Sequence, residues 1–176
     1  MFETERLIIR ELEPDDVTDE YISWFSNDHV VEFLESKNLT KKEVLDYIEY
    51  GRKTKTYFMY AVCDKKDGKH IGNLKIGPID KKHNTSDMPV VIGNTDYWGK
   101  GIGLEAIIKG NEIAFDVYDI RKLTGGMYED NIKSIKAYTR SGWVEEARLK
   151  GHYILNNKVL DRVVVSCFNP KYFLGM

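Results

Sequence analysis

The stretch Val90-Val91-Ile92-Gly93-Asn94-Thr95-Asp96-Tyr97-Trp98-Gly99-Lys100-Gly101-Ile102-Gly103 decides the reading of this chain. It opens with a β-branched run that reads as a strand and closes with three glycines at alternate positions. The residues that follow, Leu104, Ile107, Ile108, Phe115 and Tyr118, keep close to helical spacing, with Asn111 the exception. A strand, a glycine turn and an amphipathic helix in that order let the backbone bend tightly and aim several N–H groups at one point, in front of the positive end of the helix. That arrangement suits an anion. Two familiar versions of it do not fit. A dinucleotide fingerprint needs G-x-G-x-x-G, and Leu104 stands where its last glycine would fall; a P-loop needs Lys followed by Ser or Thr, and Gly101 follows Lys100. A plain turn with a helix cap would use the same glycines.

Upstream, residues 6 to 12 read as an opening strand, and Pro14-Asp15-Asp16 supplies helix-start chemistry before an apolar face of Tyr21, Ile22, Trp24 and Phe25. A second helix is expected from about Thr40 to Gly51, started by the capping-box pair Thr40 and Glu43 and ended by Gly51. Tyr57 to Cys63 and His70 to Ile76 read as strands joined by the Asp67-Gly68 turn. Downstream come a strand at Lys122 to Met127, a helix from about Asn131 to Ser141, and strands near Val144 to Leu155 and Lys158 to Phe168 joined at Asn156-Asn157. The order argues for a mixed α/β domain.

At 176 residues, without a linker or an internal repeat, residues 1–176 are expected to form a single domain. Hydrophobic residues at 42% and aromatics at 12% exclude a disordered chain. The 26 basic and 28 acidic side chains nearly cancel, and no basic stretch exceeds short pairs such as Lys81-Lys82, which excludes a dedicated nucleic-acid binder. The first residues lack the order of a signal peptide and no apolar run approaches the ~20 residues of a membrane span, so a soluble protein is expected. Cys63 and Cys167 sit in apolar runs as small hydrophobes, which suits a reducing cytoplasm. His29, His70, His83 and His152 are scattered, and no Cys/His cluster has metal-ligand spacing.

Taken together, Asp96 to Gly103 with Glu105-Ala106, followed by Asn131-Ile132-Lys133-Ser134-Ile135-Lys136-Ala137-Tyr138 and Ser141-Gly142-Trp143, resemble the two CoA motifs of the GNAT superfamily of N-acetyltransferases. The opening Thr4-Glu5-Arg6-Leu7-Ile8-Ile9-Arg10 resembles the branch that includes ribosomal-protein N-terminal acetyltransferases. The likeness covers nearly the whole chain in the right order. It departs from the family pattern at Trp98, which stands where Gln or Arg is usual. The resemblance implies an α/β fold with a mixed, mostly antiparallel sheet of six or seven strands, splayed between the Val90 and Lys122 strands and flanked by about four helices. Acetyl-CoA would lie in the splay, its pyrophosphate on residues 98 to 103 (Trp98, Gly99, Lys100, Gly101, Ile102, Gly103) and its pantetheine arm along the Val90 to Gly93 strand, including Ile92. Asn131 and Ser134 would touch the cofactor; as a bland reading, Asn131 is an N-cap.

Acetyl transfer to an amine needs a neutral amine, a donor for the developing oxyanion and a proton for the leaving thiolate. Tyr138 matches the family's general-acid position, and a phenol is suited to a thiolate of similar basicity. A backbone N–H of the Val91 to Gly93 strand is the expected oxyanion donor. For the base, His83 is the candidate, with Asp87 or water behind it. Trp24, Phe25, Tyr57, Tyr60 and Asn73 are the candidates for acceptor recognition, each equally readable as core. The expected acceptor is a small-molecule amine such as a nucleotide-linked amino sugar, ahead of a protein N-terminus. A CoA-binding module without turnover is the competing class, and a homodimer is left open.

Overall fold

The computed structural model describes residues 1–173. Ten strands and five α-helices alternate in the order β1 (Phe2–Glu3), β2 (Leu7–Glu11), α1 (Asp19–Ser23), α2 (Asp28–Val31), α3 (Lys41–Thr54), β3 (Phe58–Asp64), β4 (His70–Ile76), β5 (Ile79–Asp80), β6 (Thr85–Asp87), β7 (Val90–Ile92), α4 (Ile102–Glu112), β8 (Lys122–Tyr128), α5 (Ile132–Arg140), β9 (Val144–Leu155) and β10 (Lys158–Phe168). The strands form two five-stranded sheets, ordered β1-β2-β3-β4-β7 and β5-β6-β8-β10-β9, rather than one sheet of six or seven. All pairings are antiparallel except β6 with β8.

The splay expected between the Val90 and Lys122 strands is present, and its cause is local. β6 runs parallel to β8 from Thr85↔Lys122 to Asp87↔Thr124, while β7 pairs only with β4. Met88 and Pro89 lie between them; Met88 is buried, and Pro89 has no N–H to give a neighbouring strand. One extended segment therefore begins in one sheet and ends in the other, and β8 diverges where it changes sheets. α4 and α5 pack behind the opening: Ile102, Ala106 and Ile107 of α4, Tyr138 of α5 and Trp143 join strand residues such as Leu7, Leu74, Leu123 and Val163 in one buried cluster. A second cluster, with Leu12, Tyr21, Trp24, Val44 and Ile48, fixes α1 and α3 to the other side of the first sheet.

Several local expectations are refined. Pro14–Asp16 forms only a 3₁₀ turn, and α1 starts after it with Thr18 as its cap. The Thr40/Glu43 capping box is present, but α3 continues through Gly51 to Thr54 and ends on Lys55 with φ 53°. Gly51 is needed for packing instead, since a Cβ there would collide with the Tyr57 ring. Asn111 breaks the apolar face of α4 because it is an internal bracket: its Nδ2 donates to the Ser141 carbonyl at 3.1 Å and its Oδ1 accepts from Trp143 Nε1 at 2.9 Å. The β9–β10 turn falls at Asn156-Asn157, both with positive φ, as a tight hairpin demands.

Candidate active site

The divergence of β7 from β8 opens a cleft of about 800 Å³. Its wall is built from the β7 edge, the glycine loop, the first turns of α4, the inner face of α5, the end of β8, and residues His29 to Leu34 around the end of α2. Ile92, Trp98, Gly99, Gly101, Ile102, Gly103, Asn131, Ser134 and Tyr138 all line it, so the structure brings most of the expected site together. Lys100 is not on the wall; its Nζ sits 5.9 Å from the Tyr97 ring centroid.

Which backbone groups of β7 face the cleft follows from the ladder. Lys75 N–H donates to the Pro89 carbonyl at 3.0 Å and Gly93 N–H to the Ile71 carbonyl at 3.0 Å, flanking the pair Asn73↔Val91. Antiparallel alternation then turns residues 89, 91 and 93 toward β4 and leaves Val90 and Ile92 facing the open side. Two of the four groups there are occupied. Val90 N–H donates to the Tyr138 hydroxyl at 3.1 Å, and the Ile92 carbonyl accepts from Trp98 Nε1 at 2.7 Å. The Val90 carbonyl and Ile92 N–H are left, one acceptor and one donor in the orientation an amide chain would need. Trp98, the departure from the family pattern, thus ties the loop to the strand by its indole.

Tyr138 does more than line the wall. Its hydroxyl donates to the Met88 carbonyl at 2.7 Å while accepting from Val90 N–H, which spans the break between β6 and β7. The ring meets Trp143 edge-on at 4.8 Å between centroids, and Trp143 is held by Asn111. Burial pushes the phenol up from its ordinary value, so the hydroxyl stays protonated.

The glycine loop turns on Gly99 (φ 74°) and Gly101 (φ 77°), and Gly101 caps α4 with no side chain over the helix end. The N–H groups of the first turn of α4 are therefore uncovered at the cleft. Arg6 fixes the loop from behind: its NH1 donates to the Lys100 carbonyl at 2.8 Å and its Nε to Glu105 Oε2 at 2.7 Å. Burial pushes the Glu105 carboxyl up, yet the Thr4 hydroxyl, Arg6 N–H and the guanidinium together hold it below its usual range. Lys133, Lys136 and Arg140 of α5 also line the cleft and have no carboxylate partner among the described residues. A bare helix N-terminus, open glycines and three cations without carboxylate partners fit the phosphates of CoA, while of the two free groups of β7 the Val90 carbonyl fits an amide N–H of its arm and Ile92 N–H fits a carbonyl oxygen such as that of the thioester. Asn131 caps α5, its Oδ1 accepting from Ser134 N–H at 3.3 Å.

Other expectations fail on position. His83 is exposed in the β5–β6 turn, its carbonyl bound by the Arg121 guanidinium at 3.2 Å, and it is not on the cleft wall. The β6–β8 pairing runs from Thr85 to Asp87, and His83 lies in the turn before it, at the end of β6 away from the splay. Trp24 is buried against Gly93, where any Cβ would strike its ring. Phe25 packs on Tyr21 at 5.5 Å; Tyr57 stacks on Tyr47 at 4.4 Å; Tyr60 hydrogen-bonds Tyr118; and Asn73 is buried with its Oδ1 2.9 Å from His70 Nε2. Four of the five are buried, and Phe25 is half-buried against the second cluster. The cleft is walled instead, beyond the glycine loop and α5, by residues that include His29, Glu32, Phe33, Asp87, Gly126 and Tyr128. Of these, sequence reasoning raised only Asp87, as a reserve base; it accepts from Thr124 Oγ1 at 2.8 Å. Of the others, Gly126 and Tyr128 lie on β8, His29 on the short α2 and Glu32 and Phe33 just after it, and none carries a local sequence pattern that marks a site. Among the described residues no cluster of three His, Cys, Asp or Glu side chains could hold a metal, and no helix is long and apolar enough to cross a membrane.

A family model described as an acetyltransferase (GNAT) domain matches residues 6–144. The chain is 20% identical over 173 residues to the uncharacterized N-acetyltransferase p20 of Bacillus licheniformis, covering 96% of each. Among solved structures it resembles spermidine N-acetyltransferase from Vibrio cholerae in complex with CoA and spermine, with a TM-score of 0.86 at 19% identity over 96% of this chain and 99% of that one. It also resembles ribosomal-protein-S5-alanine acetyltransferase from Vibrio fischeri, with a TM-score of 0.81 at 22% identity over 98% of both.

Proposed function

The chain belongs to the GNAT acetyltransferase family and is an acetyl-CoA-dependent acyltransferase, and from that premise we propose that it acetylates the primary amine of a small molecule at the point where β7 leaves β8. The observation that carries this reading is the convergence there of Ile92 N–H, the Tyr138 hydroxyl and the Asp87 carboxylate on one cleft wall. CoA supplies the activated acetyl group. The α4 N-terminus, with Lys133, Lys136 and Arg140, holds its phosphates, and the Val90 carbonyl on the β7 edge orients its arm.

Ile92 N–H stabilises the oxyanion, because the N–H groups of Val91 and Gly93 are committed to β4 and that of Val90 to Tyr138. Tyr138 protonates the leaving thiolate by turning its O–H from the Met88 carbonyl, and burial keeps that proton in place until then. Asp87, directly or through water, takes the ammonium proton in place of the distant His83. A small acceptor is favoured over a protein N-terminus because Phe33, packed 5.8 Å from Tyr128, brings the segment after α2 down on the acceptor side.

The test is mass spectrometry of an amine panel, containing amino sugars, nucleotide-linked amino sugars, polyamines, amino acids and peptides with free N-termini, incubated with acetyl-CoA. Acetylation of a small amine ahead of the peptides is expected. Preferential peptide acetylation would overturn the acceptor class, and CoA binding with no product would leave the module.

A further inference from the structure

Arg162 carries the one side-chain nitrogen or oxygen among the described residues that is buried without a hydrogen-bond partner, its Nε. The rest of the guanidinium forms no ion pair and no side-chain hydrogen bond either. We propose that Arg162 is a specificity-determining residue of the acceptor site, binding a carboxylate or phosphate on the same small molecule that presents the amine. The proposal rests on the acetyl-transfer reading for the position of that amine.

The location supports this role. Arg162 pairs with Tyr128 across β10 and β8, and its side chain lies over Gly126, where an added Cβ would run into the guanidinium. Both Gly126 and Tyr128 line the cleft, whereas Arg162 is not itself on the wall and lies against it at Gly126, where no side chain intervenes. The guanidinium also sits 5.9 Å from the Tyr153 ring, which stacks on Tyr128 at 4.2 Å, so it is cradled between an aromatic wall and a position with no side chain. The neighbouring acids are engaged elsewhere. Asp161 accepts from Lys150 at 2.7 Å and from Gly151 N–H at 3.0 Å, Glu129 from Asp161 N–H at 2.7 Å, and Asp87 from Thr124. A half-buried guanidinium whose Nε is sealed from water without an acceptor is costly to the fold, and an apolar side chain of equal length would fill the space more cheaply. An anion delivered by the substrate removes that cost and gains charge-assisted, bidentate hydrogen bonds. From Thr124, where β8 leaves the splay, to Gly126 is two residues, about 7 Å of strand, a span that a molecule the size of lysine or a hexosamine phosphate bridges.

Two matched pairs of amines test the proposal: lysine against cadaverine for a carboxylate, and glucosamine 6-phosphate against glucosamine for a phosphate. Binding is measured by calorimetry with CoA present, and turnover separately. The anionic member of at least one pair should bind at least tenfold tighter, and the pair that shows it names the anion. R162Q should erase that difference and leave CoA affinity unchanged, with Arg162→Lys restoring part of it. Arg162→Met should melt no lower than the wild type. Equal binding within both pairs, equal weakening of both members by R162Q, or a lower Tm for Arg162→Met would each overturn the proposal. Anion-dependent binding without any acetylated product would overturn the acetyl-transfer reading alone, whereas acetylation with no preference for the anion would overturn this one alone.

Discussion

Replacing Tyr138 with Phe separates two roles that one hydroxyl carries. The ring remains, with its edge-on contact to Trp143, and what is lost is the donor to the Met88 carbonyl and the acceptor for Val90 N–H. Tyr138 is only 4% exposed, so water cannot replace it easily. Each orphaned buried group costs about 1–3 kcal/mol, so the pair costs about 2–6 kcal/mol in total. At roughly 2–4 °C per kcal/mol for a chain of this size, Tm should fall by roughly 4–24 °C. If the same hydroxyl is the general acid, turnover under conditions where chemistry limits the rate should fall by ~10²-fold or more, with CoA affinity retained. Differential scanning calorimetry, CoA titration and thiol-release kinetics, all well below the lowered Tm, measure the three quantities. An unchanged Tm would refute the bracing of the β6–β7 break, and an unchanged turnover number would refute the acid role whatever happens to Tm.

Three further outcomes are expected. Gly103→Ala places a Cβ 3.8 Å from Ile92 Cγ1, an ordinary contact, so Tm should hold or rise by the helix-propensity gain of up to about 1 kcal/mol while CoA affinity falls at least tenfold; unchanged CoA affinity by calorimetry would remove the phosphates from this loop. His83→Ala should leave turnover, the Michaelis constant for the amine and the pH–rate profile as in the wild type, and a shifted acid limb would return His83 to the site. Burial lowers the folded-state pKa of His70, against its bonds to Asn73 and Gly72, so its contribution to stability is complete above the unfolded value near ~6.5 and is lost as the pH falls toward the depressed folded value; melts from pH 8 to 5 should show this loss, and His70→Gln should flatten it.

The parts of the fold legible in the sequence are those written in local chemistry: the capping box at Thr40, the Asn156-Asn157 turn with the strand pair it closes, and the glycine loop before α4. The candidate site was legible where it lies on those elements, since the glycines, Ile92, Asn131, Ser134 and Tyr138 line one cleft. What could not be read depends on which face of a segment turns inward. Trp24, Tyr57 and Tyr60 have the composition of a binding wall and are spent on packing, whereas Phe33, Gly126 and Arg162 have no local pattern and acquire a role only when β8, β9 and β10 stand side by side. The link from Arg6 to Lys100 and Glu105, 94 and 99 residues away, is likewise invisible to periodicity, although both of its ends belong to quoted motifs.

β9 closes the second sheet as an exposed twelve-residue strand, and an outer row of free N–H and C=O groups that long is a template on which another chain could add itself. The sequence answers with charge and irregularity. Glu145, Glu146, Arg148 and Lys150 line the strand, and its register against β10 slips twice, between Leu160 and Arg162 and between Val164 and Val165, with Gly151 at φ 59° near the first slip. A bent, charged rim offers no straight stretch for an incoming strand to pair with, so this edge is guarded against aggregation by the same bulges that set the path of the chain opposite Arg162.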